Sequence, residues 1–389
     1  MPEPIPYFSE VFRIINGALR LDIVKVRNYV SFLADKLTQA GQTNTAARLR
    51  SLLEETDHQL QPAQVDSIRA LPVDGETRFS LVEKVDVRAL TEPPIVLSQA
   101  QADLVSEFVS VCKSQVQFEL HGVSTPATLL LYGPPGCGKS RLAREIAREL
   151  GYGLYMARLD GLISSYLGST SKNIRSIFEF ASRNPCVLLL DEFDALAKLR
   201  DDKQELGELK RVVNSFLQNL DTVGSQTVVI AATNHHFLLD SAVWRRFSYS
   251  LELRLPNYEQ RHSLWHEFLA DISLQPRELD ILSDLTEQFS GAEIREVCLR
   301  LRRQAILSAK TPSLRDAFVA LEKISHSSAA KKRFLAGLAG LEGEVVAKKL
   351  HRRNPKLYSH SHIGTLLGVS KATAHRWRVR GVKGLRHAK

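Results

Sequence analysis

The 389-residue sequence predicts an α/β fold: a parallel sheet with a helical lid, flanked by small all-α domains at both ends. Three observations carry this expectation. Gly133-Pro-Pro-Gly-Cys-Gly-Lys-Ser140 is the phosphate-loop (P-loop) pattern G-x-x-x-x-G-K-[ST], set between the apolar run Thr128–Tyr132 and a helical pattern. Cys186-Val-Leu-Leu-Leu-Asp-Glu-Phe-Asp194 is a second apolar run, and it ends in carboxylates. From Thr128 to Leu255 strand-like runs alternate with helical patterns, the layout of a parallel sheet, and residues 258–325 return to helix.

A hydrophobic content of 44% supports a sizeable core, and the length allows two or three domains. No apolar run approaches the ~18 residues of a membrane span. Met1-Pro-Glu-Pro-Ile-Pro6 has neither the basic nor the apolar region of a secretory signal, so a cytoplasmic protein with no membrane partner is expected. Cys112, Cys137, Cys186 and Cys298 show no paired spacing, which predicts a reducing compartment and no zinc site. The net charge of +9 is unevenly placed: residues 341–389 carry twelve Lys and Arg against two Glu, and the preceding 340 residues sum to −1. The basicity therefore points to a polyanion partner for the C-terminal segment alone.

Residues 1–60 read as a helical N-terminal domain without a catalytic signature. Phe8, Val11, Phe12, Ile15 and Leu19 recur at helical spacing, and further helices are expected over Val24–Leu37 and Thr45–Leu53, with Asn44-Thr45 as the cap of the last. Residues 61–94, with Pro62, Pro72 and Pro93-Pro94, read as a linker holding a short strand at Arg78–Val82. Residues 95–256 form the large α/β domain. Ser98 opens a long helix to about Gln117, Thr128–Tyr132 is a buried strand, and Leu142, Ile146 and Leu150 mark a helix that Gly151 stops. Residues 257–325 are helical, and residues 341–389 form a last small helical domain.

Within the large domain, Gly133, Gly136 and Gly138 permit the tight turn that aims backbone N–H groups at phosphates. Lys139 reaches the β and γ phosphates, and Ser140 offers its hydroxyl to Mg²⁺. Pro134, Pro135, Cys137, Arg141 and Asp191 complete the expected nucleotide site. Asp191, at a strand end, suits the Mg²⁺ shell, and Glu192 can polarise an attacking water. An acidic pair at this separation from a P-loop points to hydrolysis. Thr227–Asn234 is another buried strand, whose Asn234 can orient the water or the γ-phosphate. Arg245 and Arg246 stand side by side before a further strand, and an arginine supplied across an interface stabilises charge in phosphoryl transfer.

In order and approximate spacing, the P-loop, Asp191-Glu192, Asn234 and Arg245-Arg246 make residues 95–325 resemble an AAA ATPase. His121-Gly122-Val123 resembles the segment that approaches adenine, which adds Gly122 to the ATP-binding set. Phe289-Ser-Gly-Ala-Glu-Ile294 resembles the start of the lid helix in members that lack a sensor-2 arginine. The resemblance implies a P-loop NTPase sheet, a helical lid, a homo-oligomeric ring (usually a hexamer) and ATP hydrolysis at subunit interfaces. It also implies that Arg245 and Arg246 act on the neighbour's ATP, and leaves open which is the stronger finger. Tyr166, Leu167 and Gly168 match the family's aromatic–aliphatic–glycine triplet, which lines the central pore and grips unfolded polypeptide. Leu206–Asp221 and Ala232–His236 resemble a bacterial group of these ATPases whose members often accompany subtilisin-like serine proteases, so the resemblance implies a protease partner.

The basic terminus reads differently. His362–Trp377 looks like a helix-turn-helix, with Ile363, Leu366 and Leu367 on the inner face of its first helix, Gly368 at the turn, Val369 packing the turn and Ser370 capping the second helix. A helix over Gly343–Arg353 would complete a three-helix unit. Lys371, Thr373, Ala374 and Arg376 would face a major groove, and Lys383, Arg386 and Lys389 would add phosphate contacts. Double-stranded DNA and a protein are both open as its partner. The leading expectation is an ATP-hydrolysing ring that remodels or unfolds polypeptide and carries a DNA-binding C-terminal domain. The alternative is a DNA-directed ATPase, of the loader or transposition-regulator type, whose ring encloses DNA. The pore triplet favours the first, and Glu192 opposes a third reading in which ATP is only a switch.

Overall fold

The computed structural model describes residues 6–57, 71–74, 78–87, 95–123, 126–157, 167–194, 208–222, 227–269, 272–325, 338 and 341–383. The chain divides into two units. The first comprises Met1–Glu92, Gln99–Gly133 and Lys139–Leu253, and the second Pro93–Ser98, Pro134–Gly138 and Arg254–Lys389.

The first unit opens with three helices, α1 (Phe8–Leu19), α2 (Ile23–Gln39) and α3 (Thr43–Asp57). Asp22 caps α2 by accepting from the Lys25 N–H at 3.1 Å. The cap expected at Asn44-Thr45 is not the start of α3. The Ala46 N–H already donates to the Gln42 carbonyl at 3.1 Å, and the helix begins two residues earlier, at Thr43.

The apolar stripe of α1 does not become its buried face. Glu10, Arg13 and Gly17 point inward, while Val11, Ile15 and Leu19 are 40%, 52% and 81% exposed. Two features turn the helix this way. At Gly17 an added Cβ would lie 3.0 Å from Val26 Cγ2, so only glycine lets α2 approach this closely. The Arg13 guanidinium donates to the Tyr29 hydroxyl at 3.1 Å and to the Tyr152 hydroxyl at 2.8 Å, beneath both rings. Hydrogen bonds and aromatic faces together make a buried cation tolerable. Tyr152 immediately precedes a sheet strand, and Asn28 donates to Asn184 Oδ1 at 3.0 Å just before another. The N-terminal helices are thus anchored at the amino-terminal edge of the sheet. Tyr152→Phe removes one acceptor from this cation and should lower stability by about 1–3 kcal/mol, read from the urea midpoint.

The rest of the first unit runs β1 (Val82–Val85), α4 (Gln99–Leu120), β2 (Ala127–Tyr132), α5 (Lys139–Leu150), β3 (Gly153–Ala157), α6 (Leu167–Arg183), β4 (Cys186–Leu190), α7 (Glu208–Thr222), β5 (Val228–Thr233), a 3₁₀ turn (His236–Leu238), α8 (Ser241–Trp244) and β6 (Tyr249–Glu252). The sheet order is β1-β3-β4-β5-β2-β6. β3, β4, β5, β2 and β6 are parallel neighbours, as the alternating pattern predicts. β1 is an antiparallel edge strand, with Val82 opposite Ala157. The strand expected at Arg78–Val82 is therefore displaced toward the C-terminus. Arg78 has φ 59 and its N–H donates to the Asp74 carbonyl at 2.9 Å, so these residues close a turn in which Val73 bridges Ser80.

β4 and β5 are buried at every residue, and β2 at all but its last, which explains their unbroken apolar runs. β5 lies between β2 and β4, with Tyr132 opposite Thr233 and Leu190 opposite Ala231. The carboxyl ends of these three strands therefore open on one edge, where α/β sheets hold ligands. Cys112 and Cys186 lie in this interior, and burial pushes both thiols up to about 12.

The second unit holds α9 (Tyr258–Leu269), α10 (Pro276–Leu285), α11 (Gly291–Ser308) and α12 (Leu314–Ser325), followed by α13 (Gly343–Arg353), α14 (His360–Leu367) and α15 (Lys371–Lys383). One hydrophobic core runs through all seven helices, from Trp265 and Leu321 to Leu350, Ile363 and Ala374. Gly368, at φ 69, turns the chain between α14 and α15, and Ser370 Oγ accepts from the Thr373 N–H at 3.1 Å. Ala374, expected on the groove-facing side, is completely buried, because α15 needs an apolar residue there to join the core. Among the described residues no helix is long and apolar enough to cross a membrane.

Candidate active site

β2 ends at Tyr132, and the chain turns sharply through Gly133 (φ 136), Gly136 (φ 76) and Gly138 (φ 96) before α5 begins at Lys139. The Leu253 N–H donates to the Tyr132 carbonyl at 2.8 Å, which extends the β6 pairing up to the loop. An added Cβ on Gly133 would collide with the Leu253 carbonyl oxygen. With φ in the left-handed region as well, Gly133→Ala should cost at least about 1–3 kcal/mol. Thermal unfolding without nucleotide would read this as a lower midpoint.

Lys139 is buried, and its ammonium donates to the Gly133 carbonyl at 2.8 Å. Ser140 Oγ donates to Asp191 Oδ2 at 2.6 Å, and Asp191 Oδ1 accepts from the Glu192 N–H at 2.9 Å. The residues at positions 140 and 191 thus meet although fifty-one positions separate them. Their chemistry fits the expected ligands. A hydroxyl and a carboxylate this close are hard oxygen donors of the kind Mg²⁺ prefers. A buried ammonium at a helix N-terminus, beside a glycine loop, suits phosphate.

Glu192 is exposed and adopts φ 51, a left-handed conformation uncommon for a non-glycine residue. The turn that holds it is tied to the next strand. The Phe193 N–H donates to the Ala232 carbonyl at 2.9 Å, and Thr233 Oγ1 donates to Asp194 Oδ1 at 3.1 Å. The His235 N–H in turn donates to Thr233 Oγ1 at 3.0 Å, which fixes the backbone on either side of the half-buried Asn234. Glu192 and Asn234 therefore follow adjacent strands at the same edge.

Arg245 and Arg246 follow α8, which Asp240 caps by accepting from the Val243 N–H at 2.9 Å. The two arginines differ. Arg246 pairs through Nε with Asp221 Oδ1 at 2.6 Å, whereas the Arg245 side chain is exposed. Gly122, at φ 70, closes the end of α4 by donating its N–H to the Glu119 carbonyl at 3.0 Å. Arg141 pairs with Glu145 at 3.7 Å along α5.

Pro134, Pro135, Gly136, Cys137 and Gly138 belong to the second unit. There the Gly136 carbonyl accepts from the Ala292 N–H at 3.1 Å. A Cβ on Gly136 would stand 2.7 Å from Ser290 Oγ, and one on Gly138 would stand 2.5 Å from Ile95 Cδ1. Ser290 is the N-cap of α11, in a capping box with Glu293. Ser290 and Ala292 touch the loop although sequence reasoning did not place them in the site, and Ser290-x-x-Glu293 is a legible cap signal. Ile95 and Leu253 have no such signal.

Tyr166 lies outside the described residues, and Leu167-Gly168 open α6. In the second unit Lys371 and Arg376 are exposed on α15, and Arg376 Nη2 donates to Thr373 Oγ1 at 3.3 Å.

Residues 129–255 match the family described as "ATPase family associated with various cellular activities (AAA)". An uncharacterised AAA family ATPase of Sinorhizobium fredii is 37% identical over 271 residues, 68% of this chain and 79% of that protein. A proteasome-activating nucleotidase of Sulfurisphaera tokodaii is 34% identical over 221 residues, 54% of this chain and 56% of that protein, so the chain spans little more than half of this relative. In fold, the chain resembles the FIGL-1 AAA domain solved in complex with ADP, with a TM-score of 0.53, 22% identity, and coverage of 69% of this chain and 92% of that one. The sheet order, the phosphate loop and the extent of these matches lead to one conclusion: the chain belongs to the AAA ATPase family and is an enzyme that hydrolyses ATP.

Proposed function

We propose that the chain is an ATP-driven ring motor of the cytoplasm that remodels or unfolds polypeptide through a central pore. The Ser140–Asp191 contact at 2.6 Å, with Glu192 beside it, carries the catalytic part of this reading. In it Gly122 and the loop Gly133–Arg141 hold ATP, with Lys139 on the β and γ phosphates. Ser140 and Asp191 hold Mg²⁺, which neutralises charge on the phosphates when bound. Glu192 takes a proton from the attacking water, and Asn234 orients that water.

The arginines support the ring. Arg246 is already engaged by Asp221, and Arg245 is exposed, so Arg245 is the better candidate to reach a neighbouring subunit's γ-phosphate. In this reading Arg245 is the principal finger and Arg246 its support, in a homo-oligomer that is a hexamer by family analogy. Relatives named as proteasome-activating nucleotidases support a polypeptide substrate, and Tyr166, Leu167 and Gly168 would grip it. The bacterial group that the chain resembles adds a subtilisin-like protease as partner. For the basic terminus, a capped helix α15 that exposes Lys371 and Arg376 supports a helix-turn-helix that contacts double-stranded DNA, with Thr373 alongside.

The test is Tyr166→Ala, assayed on an unfoldable reporter protein. Loss of reporter unfolding with ATP turnover retained is expected. Unfolding at the wild-type rate sinks the pore reading and leaves the DNA-encircling alternative in its place.

A further inference from the structure

The C-terminal helices α13–α15 are built into the lid. Arg353 of α13 binds Asp284 Oδ2 through Nε at 2.6 Å and Glu287 Oε2 through Nη2 at 2.6 Å. The Tyr358 hydroxyl donates to the same Asp284 carboxylate, and the tyrosine is fully buried. Burial, and then that carboxylate, push the Tyr358 hydroxyl pKa upward, so it stays a neutral donor. Arg315 of α12 covers the turn at Gly368 so closely that a Cβ there would strike its guanidinium. Beneath these polar ties Val346, Leu350, Ile363 and Leu366 share one core with Phe318, Leu321 and Ile294. The same core includes α11, whose first turn donates the Ala292 N–H to the Gly136 carbonyl of the phosphate loop.

We infer that the phosphate-loop centre, the lid and α13–α15 form one cooperative unit, so that nucleotide at the loop protects α13–α15 against opening. A shared core opens as a whole, because exposing one side of it exposes the other. Whatever binds the loop in the closed unit therefore also holds α13–α15 closed. The inference rests on the reading of residues 133–140 as the ATP site. It does not depend on what α13–α15 bind.

Hydrogen exchange followed by mass spectrometry on the full chain tests it in two arms. Without nucleotide, buried amides of α11 and of α13–α14 should converge, with rising urea, on one opening equilibrium. With a slowly hydrolysed ATP analogue at ~100 times its dissociation constant, both segments should slow by the same factor, up to about 100-fold. Convergence in urea followed by slowing of α11 alone overturns the coupling, and so do opening equilibria that differ more than about tenfold. If the segments converge but neither slows, and the analogue does not bind in equilibrium dialysis, the ATP-site reading has failed and the coupling falls with it.

Discussion

Replacing Glu192 by Gln lowers ATP turnover by about 10²- to 10⁴-fold, the usual worth of a positioned general base, and leaves nucleotide affinity nearly unchanged. The amide keeps the shape of the side chain but cannot take the proton. Glu192 is a clean place for this experiment because its side chain is exposed, and it is the backbone N–H, not the side chain, that donates to Asp191. Asp191 would be a poor choice by comparison, since its carboxylate receives both Ser140 and that N–H. Steady-state turnover with a filter-binding measurement of ATP separates the two effects. Mixing then tests the ring. Glu192→Gln subunits keep an intact Arg245, and Arg245→Ala subunits keep an intact Glu192. If Arg245 acts on the neighbour, a mixture of the two inactive variants regains turnover. A mixture as inactive as its parts would put Arg245 in its own subunit's chemistry or in none.

Ending the chain at residue 340 has the largest expected effect on stability. Val346, Leu350, Tyr358, Ile363 and Leu366 are all buried in the core that the lid helices share. At about 1.5–3 kcal/mol per buried side chain, their loss is on the order of 10 kcal/mol, comparable with the whole stability of an ordinary domain, about 5–15 kcal/mol. Asp284 would also lose Arg353 and Tyr358 together. The truncated chain should be cut rapidly within α9–α12 by a trace of trypsin under conditions that leave the full chain intact. Equal resistance in the two chains would mean that residues 341–389 are an independent appendage.

The parallel strands were legible because burial on both faces demands unbroken apolar runs, as in Cys186–Leu190 and Val228–Thr233. The loop at Gly133–Ser140 was legible because phosphate chemistry restricts it to few residue types. The α1 stripe misled, since periodicity records which face is apolar but not which face a neighbour covers. Arg13 reverses the helix through two tyrosines, one of them 139 positions away, and no local pattern carries that information. Arg78–Val82 failed for a related reason: β-prone residues there are spent on a turn, and the pairing moves on to Val82–Val85. Of the active-site residues, Asp191 and Ser140 needed the fold to meet, while the contrast between Arg245 and Arg246 depends on Asp221, which no motif marks.

The way Arg315 lies over Gly368, with Asp284 held by Arg353 and Tyr358, bears on how such a chain can be recombined. A three-helix reader that stood alone could be moved between proteins by joining it at a linker. Residues 343–383 are not portable in that sense. Transplanted, they would arrive with half a core and a buried tyrosine in search of its carboxylate. A foreign reader fused in their place would leave this lid with the other half. Exchange of this module between lineages is therefore expected to carry the lid with it, with the crossover near β6 rather than at residue 341.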